Sequence, residues 1–267
     1  MRFSTDVLFE PQKLRFGAHR GLRTQAPENS IPAYILAGEH GFEWAWVAVA
    51  RQSKDGTWYA MHDETLDRTT NGTGKIAEVT DEYLKTVYTV KGKNADKYTP
   101  EELHIPTLEE VIAVCRRYGM AICFRMGSLP FDLDTPEHRA SWDSFIDLMK
   151  KHRLENSLFS GCSAQIRILK QLTDNWHGQK MSEGGETLEK TYALVDEFAA
   201  NGWTNMSVLA GYKVTNADTV AYAHRHGYRY VCCNMPSPIT KEMLQNMCAW
   251  GVDICQNPEG AAADFDY

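Results

Sequence analysis

Two short stretches near the start of the chain combine histidine, arginine and acidic residues. His19 is followed directly by Arg20, and His62 is followed directly by Asp63. Cleavage of a phosphodiester needs a base for the attacking hydroxyl, an acid for the leaving oxygen and positive charge at the phosphoryl oxygens. The two histidines are therefore candidate catalytic groups. Arg20 is a candidate phosphate ligand, and Asp63 is a candidate group for orienting His62.

Each of these residues also has a simpler interpretation. A histidine at a strand end is more often a satisfied polar residue than a catalytic group, and Arg20 could pair with Glu28 instead of with a ligand. Glu28 is therefore a candidate supporting residue. The catalytic interpretation gains weight only from the combination of both histidines with the motifs described below.

The elements that must position these residues follow a regular alternation. Short apolar runs are separated by segments of helical periodicity, the pattern of βα units around a parallel sheet. Gly119, Gly202, Gly227 and Gly251 precede or begin a new apolar run, as left-handed residues at helix ends often do. We therefore predict one (β/α)8 barrel domain over residues 1–267. The predicted strands are 14–19, 44–51, 120–125, 157–160, 177–182, 204–209, 228–234 and 252–256.

Residues 57–106 interrupt the alternation. They contain an extra strand predicted at 57–61 and a charged stretch, and we predict an insertion between the second and third strands without a core of its own. In (β/α)8 barrels the chemistry collects at the C-terminal ends of the strands. His19, Arg51 and Arg125 fall at such ends, and His62 follows the extra strand.

Composition narrows the possible partners and compartment. The 267 residues include 28 Lys and Arg against 35 Asp and Glu, a formal charge of -7, and no basic run with interleaved aromatics. Nucleic acid is not an expected partner. We expect neither a transmembrane segment nor a signal peptide. Seven cysteines without paired CxxC spacing fit reduced thiols and a cytoplasmic location. The oligomeric state is not indicated.

A set of motifs in the first half of the chain closely resembles the glycerophosphodiester phosphodiesterase family. This resemblance implies a (β/α)8 barrel, His19 and His62 as the catalytic pair, and hydrolysis of a glycerophosphodiester to an alcohol and glycerol 3-phosphate. The second half of the chain matches mainly in its α/β alternation. The motifs are residues 17–21 (GAHRG), 26–30 (APENS), 54–56 (KDG), 61–74 (MHDETLDRTTNGTG) and 105–111 (IPTLEEV).

The resemblance also implies a divalent cation, and here the sequence departs from the family. The family holds the cation with a Glu-x-Asp pair on the second strand and a Glu on the third, and hard cations need such oxygens. Counted back from the KDG motif, the pair falls on Val47 and Val49. Counted forward from the glycine before the strand, it falls on Trp46 and Ala48. Neither register supplies an acid.

The remaining positions of the family's cation site show the same departure. Cys123 stands where the family has the third-strand Glu, and Arg125 stands where it has a Lys. Near the C-terminus, the family's Thr-Asp before Pro is Gln256-Asn257. We therefore expect no Ca²⁺ or Mg²⁺ cofactor at this position.

Two arginines offer a possible replacement for the cation. Strand alternation would place Val47, Val49 and Arg51 on one face of the second strand and pair Cys123 with Arg125 on the third. If these faces point inward, Arg51 and Arg125 could bind phosphate, as an arginine does in the similar metal-independent phosphatidylinositol-specific phospholipases C. Equally, both arginines could be solvated or ion-paired at the mouth. A metal site built from the thiols of Cys123, Cys233 and Cys255 is a further possibility. Free cysteines are, however, usually small buried apolar residues, and that interpretation is preferred.

Three functions remain open on the sequence. The preferred one is a metal-independent or catalytically silent member of the family that binds a small phosphate-bearing ligand. Its predicted phosphate contacts are Arg20, Arg51 and Arg125. The second is an active glycerophosphodiester phosphodiesterase, with ligands supplied from elsewhere in the chain. The third is a barrel retained as a structural or partner-binding module.

Overall fold

Eight parallel strands close into a barrel in the computed structural model, which describes residues 14–173, 176–183 and 185–256. Going round the barrel, the strands follow chain order, and the last pairs with the first. The predicted (β/α)8 architecture is therefore confirmed. The barrel strands are β1 (Arg15–His19), β2 (Trp44–Val47), β5 (Ala121–Arg125), β6 (Leu158–Ser160), β7 (His177–Met181), β8 (Met206–Gly211), β9 (Arg229–Cys233) and β10 (Ile254–Gln256).

Helices connect successive barrel strands and cover the outside of the sheet. Their ends follow local sequence signals. Ser30 accepts a hydrogen bond from the backbone of Ala33 at the start of the first helix, and Thr107 and Glu110 form the predicted capping box. Gly119 ends that later helix in the left-handed conformation, with φ 70°. The helices are α1 (Ile31–Glu39), α2 (Asp81–Leu84), α3 (Leu108–Tyr118), α4 (Pro136–Lys151), α5 (Ser163–Leu172), α6 (Leu188–Ala200), α7 (Ala217–Arg225) and α8 (Lys241–Trp250). None of these described helices is long and apolar enough to cross a membrane.

The second strand shows which side chains enter the barrel. Trp44 and Trp46 belong to the cluster inside the barrel, with ring centroids 6.2 Å apart, whereas Val47 packs in the layer between strands and helices. Gly17 on the neighbouring strand makes room for this packing, because a Cβ there would lie 2.6 Å from the Trp46 ring. Even-numbered positions of β2 therefore face inward.

The expected continuous strand over 44–51 is wrong. The barrel strand ends at Val47, and the chain then forms an antiparallel hairpin of β3 (Ala50–Gln52) and β4 (Trp58–Ala60). The backbones of Val49 and Met61 exchange two hydrogen bonds, which draw the chain out of the barrel. Of the two alternatives for Val47, Val49 and Arg51, the inward face does not apply, because Val47 packs against the helices and barrel alternation does not continue past the end of β2.

The insertion has a small core of its own, contrary to the expectation. Seven buried apolar side chains form a cluster separate from those of the barrel and its helices. A segment of this length must bury apolar surface to offset its loss of conformational entropy. The cluster contains Tyr59, Met61, Leu66, Ile76, Leu84, Val87 and Ile105.

A buried amide fixes the loop between β1 and α1 against the end of β2. Asn29 donates from Nδ2 to the backbone carbonyl of Ala48 at 2.7 Å and accepts from the hydroxyl of Tyr34 at 3.0 Å. All three residues are buried. This amide therefore satisfies a carbonyl that the chain leaves unpaired where it turns out of the barrel.

Replacing Asn29 by Ala should lower the free energy of unfolding by ~2–4 kcal/mol, because two buried polar groups lose their partner. Urea unfolding followed by circular dichroism measures this. The matched control is Asn156→Ala at an exposed position, which should change stability by less than ~0.5 kcal/mol. Equal stability of the two variants would contradict this role for Asn29.

Candidate active site

A cavity of about 450 Å³ opens at the C-terminal ends of the barrel strands. His19 at the end of β1, Trp46 on β2 and Arg125 at the end of β5 all line it. Several strand ends indicated by the sequence contribute as well. They are Ser160, Ser182, Leu209, Asn234 and Gln256.

His19 is held in its neutral form by its surroundings. Its pKa is lowered from the ordinary 6.5 to about 3, first because burial disfavours the imidazolium and then because positive groups lie nearby. Those groups are Arg20, Arg23, His62 and Arg125. At neutral pH the imidazole is uncharged, which is the form that can accept a proton.

His62 is positioned by a chain of charged groups. Its Nδ1 lies 2.6 Å from Oδ1 of Asp63. Arg68 bonds Asp63 and also donates to Oε1 of Glu28 at 2.5 Å. Arg20 donates from Nη1 to both carboxylate oxygens of Glu28 at 2.9 Å. The first loop and the insertion are thus joined through alternating cations and carboxylates.

These contacts assign the proton on His62. The pKa of Asp63 is lowered to about 2, mainly by its hydrogen bond from Arg68, so Asp63 is ionised at neutral pH. An ionised carboxylate only accepts, so Nδ1 of His62 carries the proton and Nε2 is available as a base. Burial lowers the pKa of His62, and the bond to Asp63 opposes that shift.

The three predicted phosphate-binding arginines have different surroundings. Arg20 pairs with Glu28, as the simpler interpretation held, and its buried Nε has no hydrogen-bond partner among the described residues. Arg51 donates to the backbone carbonyl of His62 at 2.8 Å and lies outside the cavity lining, so its predicted entry into the cavity is wrong. Arg125 is exposed and lines the cavity, and within the described ranges its guanidinium has no carboxylate partner.

The cavity lining selects between the two registers considered for the family's acidic pair. Trp46 and Ala48 line the cavity, so the register counted forward from the glycine is the one that faces it. Among the described residues, Glu183 is the one carboxylate in the lining, and it accepts from the backbone and hydroxyl of Ser163. Asn257 lies outside the described residues.

Among the described residues, the lining of this cavity offers few ligands for a metal ion. No group of three or more His, Cys, Asp or Glu that could hold one occurs within 14–173, 176–183 and 185–256. A single carboxylate supplies few of the roughly six to eight oxygen ligands that Ca²⁺ takes, whereas Mg²⁺ can be held by one or two carboxylates together with substrate phosphates. Cys123, Cys233 and Cys255 are free and buried, and burial raises the pKa of each thiol, which disfavours the thiolate that a metal needs.

Some lining residues were not anticipated from the sequence. Glu183 is the second residue after β7, and this place near a strand end was its only signal. Phe131 is 63% exposed and lies in the loop after β5, where nothing in the local pattern marks a cavity wall. Gln165 donates to the carbonyls of Met126 and Leu129 and so fixes that same loop.

Comparison with known proteins agrees with the motifs. The profile of the Glycerophosphoryl diester phosphodiesterase family matches residues 19–254. The chain belongs to this family of phosphoric diester hydrolases. Glycerophosphodiester phosphodiesterase 1 of Mus musculus is 35% identical over 123 residues, which are 46% of this chain and 37% of that protein. The match thus spans little more than a third of that relative's length.

Two longer matches cover most of the chain. A glycerophosphodiester phosphodiesterase of Bacillus subtilis is 26% identical over 236 residues, 82% of this chain and 76% of that protein. The structure of an Oleispira antarctica phosphodiesterase in complex with its product sn-glycerol-3-phosphate covers 98% of each chain with a TM-score of 0.76 at 21% identity. At this identity the structural match supports the barrel fold alone.

The Asp63→Asn variant tests the assignment of the proton on His62. Without the negative charge of Asp63 the imidazolium loses its stabilising partner, so the pKa of His62 should fall further below 6.5. An NMR titration of the histidine ring signals measures this. The exposed Asp96 offers a matched control, because Asp96→Asn should leave the titration of His62 unchanged. An unshifted His62 in Asp63→Asn would rule out the pairing in solution.

Proposed function

We propose that the chain binds a phosphate-bearing small molecule in this cavity, with Arg125 in place of the divalent cation of the family. The observation that carries the proposal is the exposed guanidinium of Arg125, which lines the cavity and has no carboxylate partner among the described residues. A guanidinium presents a fork of donors that matches phosphoryl oxygens. The predicted contact by Arg20 has less support, because Arg20 is absent from the described cavity lining and its Nη1 donates to Glu28.

The electrostatics of His19 support an anionic ligand. Four cationic or ionisable groups act to lower its pKa, so the site has an excess of positive potential. A bound phosphoryl group would offset this potential and make protonation of His19 easier. The ligand would therefore raise the pKa of His19, the group that would exchange a proton with it.

Metal independence rests on the chemistry of the donors. Trp46 and Ala48 face the cavity where the family has its acidic pair, and Cys123 is buried beneath. The carboxylate of Glu183 already accepts from Ser163. Positive charge for the phosphoryl oxygens must then come from side chains, and Arg125 is placed to supply it.

The second candidate function is hydrolysis of a glycerophosphodiester. The observation in its favour is the intact arrangement of His62, Asp63 and Arg68, which leaves Nε2 of His62 as a base. His62 would then take the proton of the attacking water at Nε2, and His19, whose protonation a bound phosphoryl group favours, would give a proton to the leaving oxygen. A hydrolysis assay on glycerophosphodiesters and cyclic phosphodiesters, with and without a chelator, separates the candidates. Turnover that resists chelation indicates a metal-independent enzyme, and binding without turnover indicates a silent member. Loss of both would favour a partner-binding barrel.

Replacing Arg125 by Ala should weaken binding of sn-glycerol 3-phosphate by ~1.5–3 kcal/mol, about tenfold or more in Kd, because a charged hydrogen bond is lost. Isothermal titration calorimetry measures the change. Arg139→Ala removes an exposed arginine of α4 that does not line the cavity and is the matched control. Equal affinities of the two variants would contradict the proposed role of Arg125.

Titration with millimolar Ca²⁺ and Mg²⁺ should show no saturable binding, and EDTA should leave glycerol phosphate binding unchanged. Ala48→Asp adds a carboxylate to the cavity and should increase affinity for these cations. Saturable binding by the unmodified chain that Glu183→Gln abolishes would instead show that Glu183 anchors a cation.

A further inference from the structure

A second pocket lies on the same rim, between the loop after β1 and the insertion. Its volume is about 460 Å³. Arg23 and Thr24 of the loop form one side, and Arg68 and Lys91 of the insertion form the other. Glu28 contributes the one carboxylate of its described lining. None of these residues lines the cavity that contains His19 and Arg125.

The charge of this pocket is unbalanced. Glu28 is already bonded by Arg20 and Arg68, so it does not neutralise the other two cations. Within the part of the chain that the structure describes, neither Arg23 nor Lys91 has a carboxylate partner. Two cations therefore line one concave space with no counter-ion of their own among the described residues, in a chain whose formal charge is -7.

The two walls of the pocket are fastened to each other. Asn94 donates from Nδ2 to the carbonyl of Gln25 at 2.8 Å. Gly92 packs so closely on Pro27 that a Cβ there would lie 2.9 Å from Cα of Pro27. Lys91 is thus held across from the first loop by contacts on its own segment, and its position does not depend on a ligand.

Thr24 supplies a separate sign of a missing ligand. Its hydroxyl oxygen is buried and has no hydrogen-bond partner among the described residues, although the residue lines the pocket. A buried hydroxyl without a partner is unfavourable, and proteins rarely keep one where a partner could be supplied. A turn of the Thr24 side chain toward the pocket would let an oxygen-rich ligand provide that partner.

We propose that this pocket is a second anion site, which binds a phosphoryl dianion through Arg23, Lys91 and Arg68. Two cations without partners match the charge of a dianion, and guanidinium groups suit tetrahedral oxyanions. The volume exceeds that of phosphate alone, so the rest of a phosphorylated molecule can enter. The dianion could belong to a separate molecule or be a second phosphate on the ligand of the cavity.

A ligand bound in this pocket would affect the surroundings of both His19 and His62. Arg68 bonds Asp63, the partner of His62, so a dianion that engages Arg68 competes for the group that orders Asp63. Arg23 is one of the cations whose charge lowers the pKa of His19, so the two sites share an electrostatic environment. The pocket is thus placed to modulate the active site without contacting a ligand held there.

Calorimetric titration of the whole chain with inorganic phosphate tests the proposal. Unmodified protein should bind two phosphate ions. Arg23→Ala and Lys91→Ala should each weaken one of the two by about tenfold, whereas Arg125→Ala should weaken only the other. Lys93→Ala, an exposed lysine outside the lining, is the matched control and should change neither. If Arg23→Ala and Lys91→Ala both leave the isotherm unchanged, the second site does not exist, whatever Arg125→Ala shows.

A variant of nearly identical shape controls for folding. Thr24→Val removes the hydroxyl and should weaken binding at the second site several-fold while the thermal unfolding temperature is unchanged or slightly higher. Unweakened binding in Thr24→Val would contradict the contact with Thr24. A glycerophosphodiester with an added phosphomonoester then distinguishes the sources of the dianion. Tighter binding than the plain diester, lost in Arg23→Ala, shows one ligand across both sites, and equal binding shows a separate molecule.

Discussion

The carboxylate of Glu28 is the point on which the arrangement of the rim depends. It accepts from Arg20 of the first loop and from Arg68 of the insertion, forty residues further along the chain. Both bonds are charge-assisted and partly shielded from water, and losing the carboxylate would leave two guanidinium groups facing each other. Because Arg68 also bonds Asp63, the position of His62 is determined through the same carboxylate. These bonds thereby hold the insertion in position at the C-terminal ends of the barrel strands.

Below this rim, the barrel interior is filled by large apolar side chains. Trp44 and Trp46 enter from β2, and Gly17 leaves the space that the ring of Trp46 occupies. Such packing gives the cavity a floor of low polarity, in which charges interact more strongly than in water. Burial is accordingly the main cause of the lowered pKa of His19, ahead of the positive groups around it. The same floor would strengthen any contact between Arg125 and an anion.

The sequence could predict the repeating part of the fold, because each βα unit carries its own periodicity and its own helix-ending signal. It could also place His19 at the end of β1 and His62 after the extra strand, because both histidines lie in motifs with known spacing. It could not show that β2 ends at Val47, since the following apolar residues continue the alternation. The chain leaves the barrel where Val49 and Met61 form backbone hydrogen bonds, and no local sequence pattern reveals these bonds. Arg51 was misplaced for the same reason, and Glu183 was missed because a single acid after a strand has no periodicity to mark it.

The cations at the rim and the net negative charge of the chain together favour binding of an anion at the rim. An anion approaching a chain of formal charge -7 is repelled over most of its surface and is attracted only where cations lack partners. Arg125 in the cavity and Arg23 with Lys91 in the second pocket are such places within the described residues. Salt screens exposed charges beyond roughly 8 Å at physiological ionic strength, so this selection acts at the mouth of the barrel and not at long range. Trp46, Ala48 and Cys123, at the ends of β2 and on β5, carry no negative charge, so an anion in the cavity meets no carboxylate from these positions.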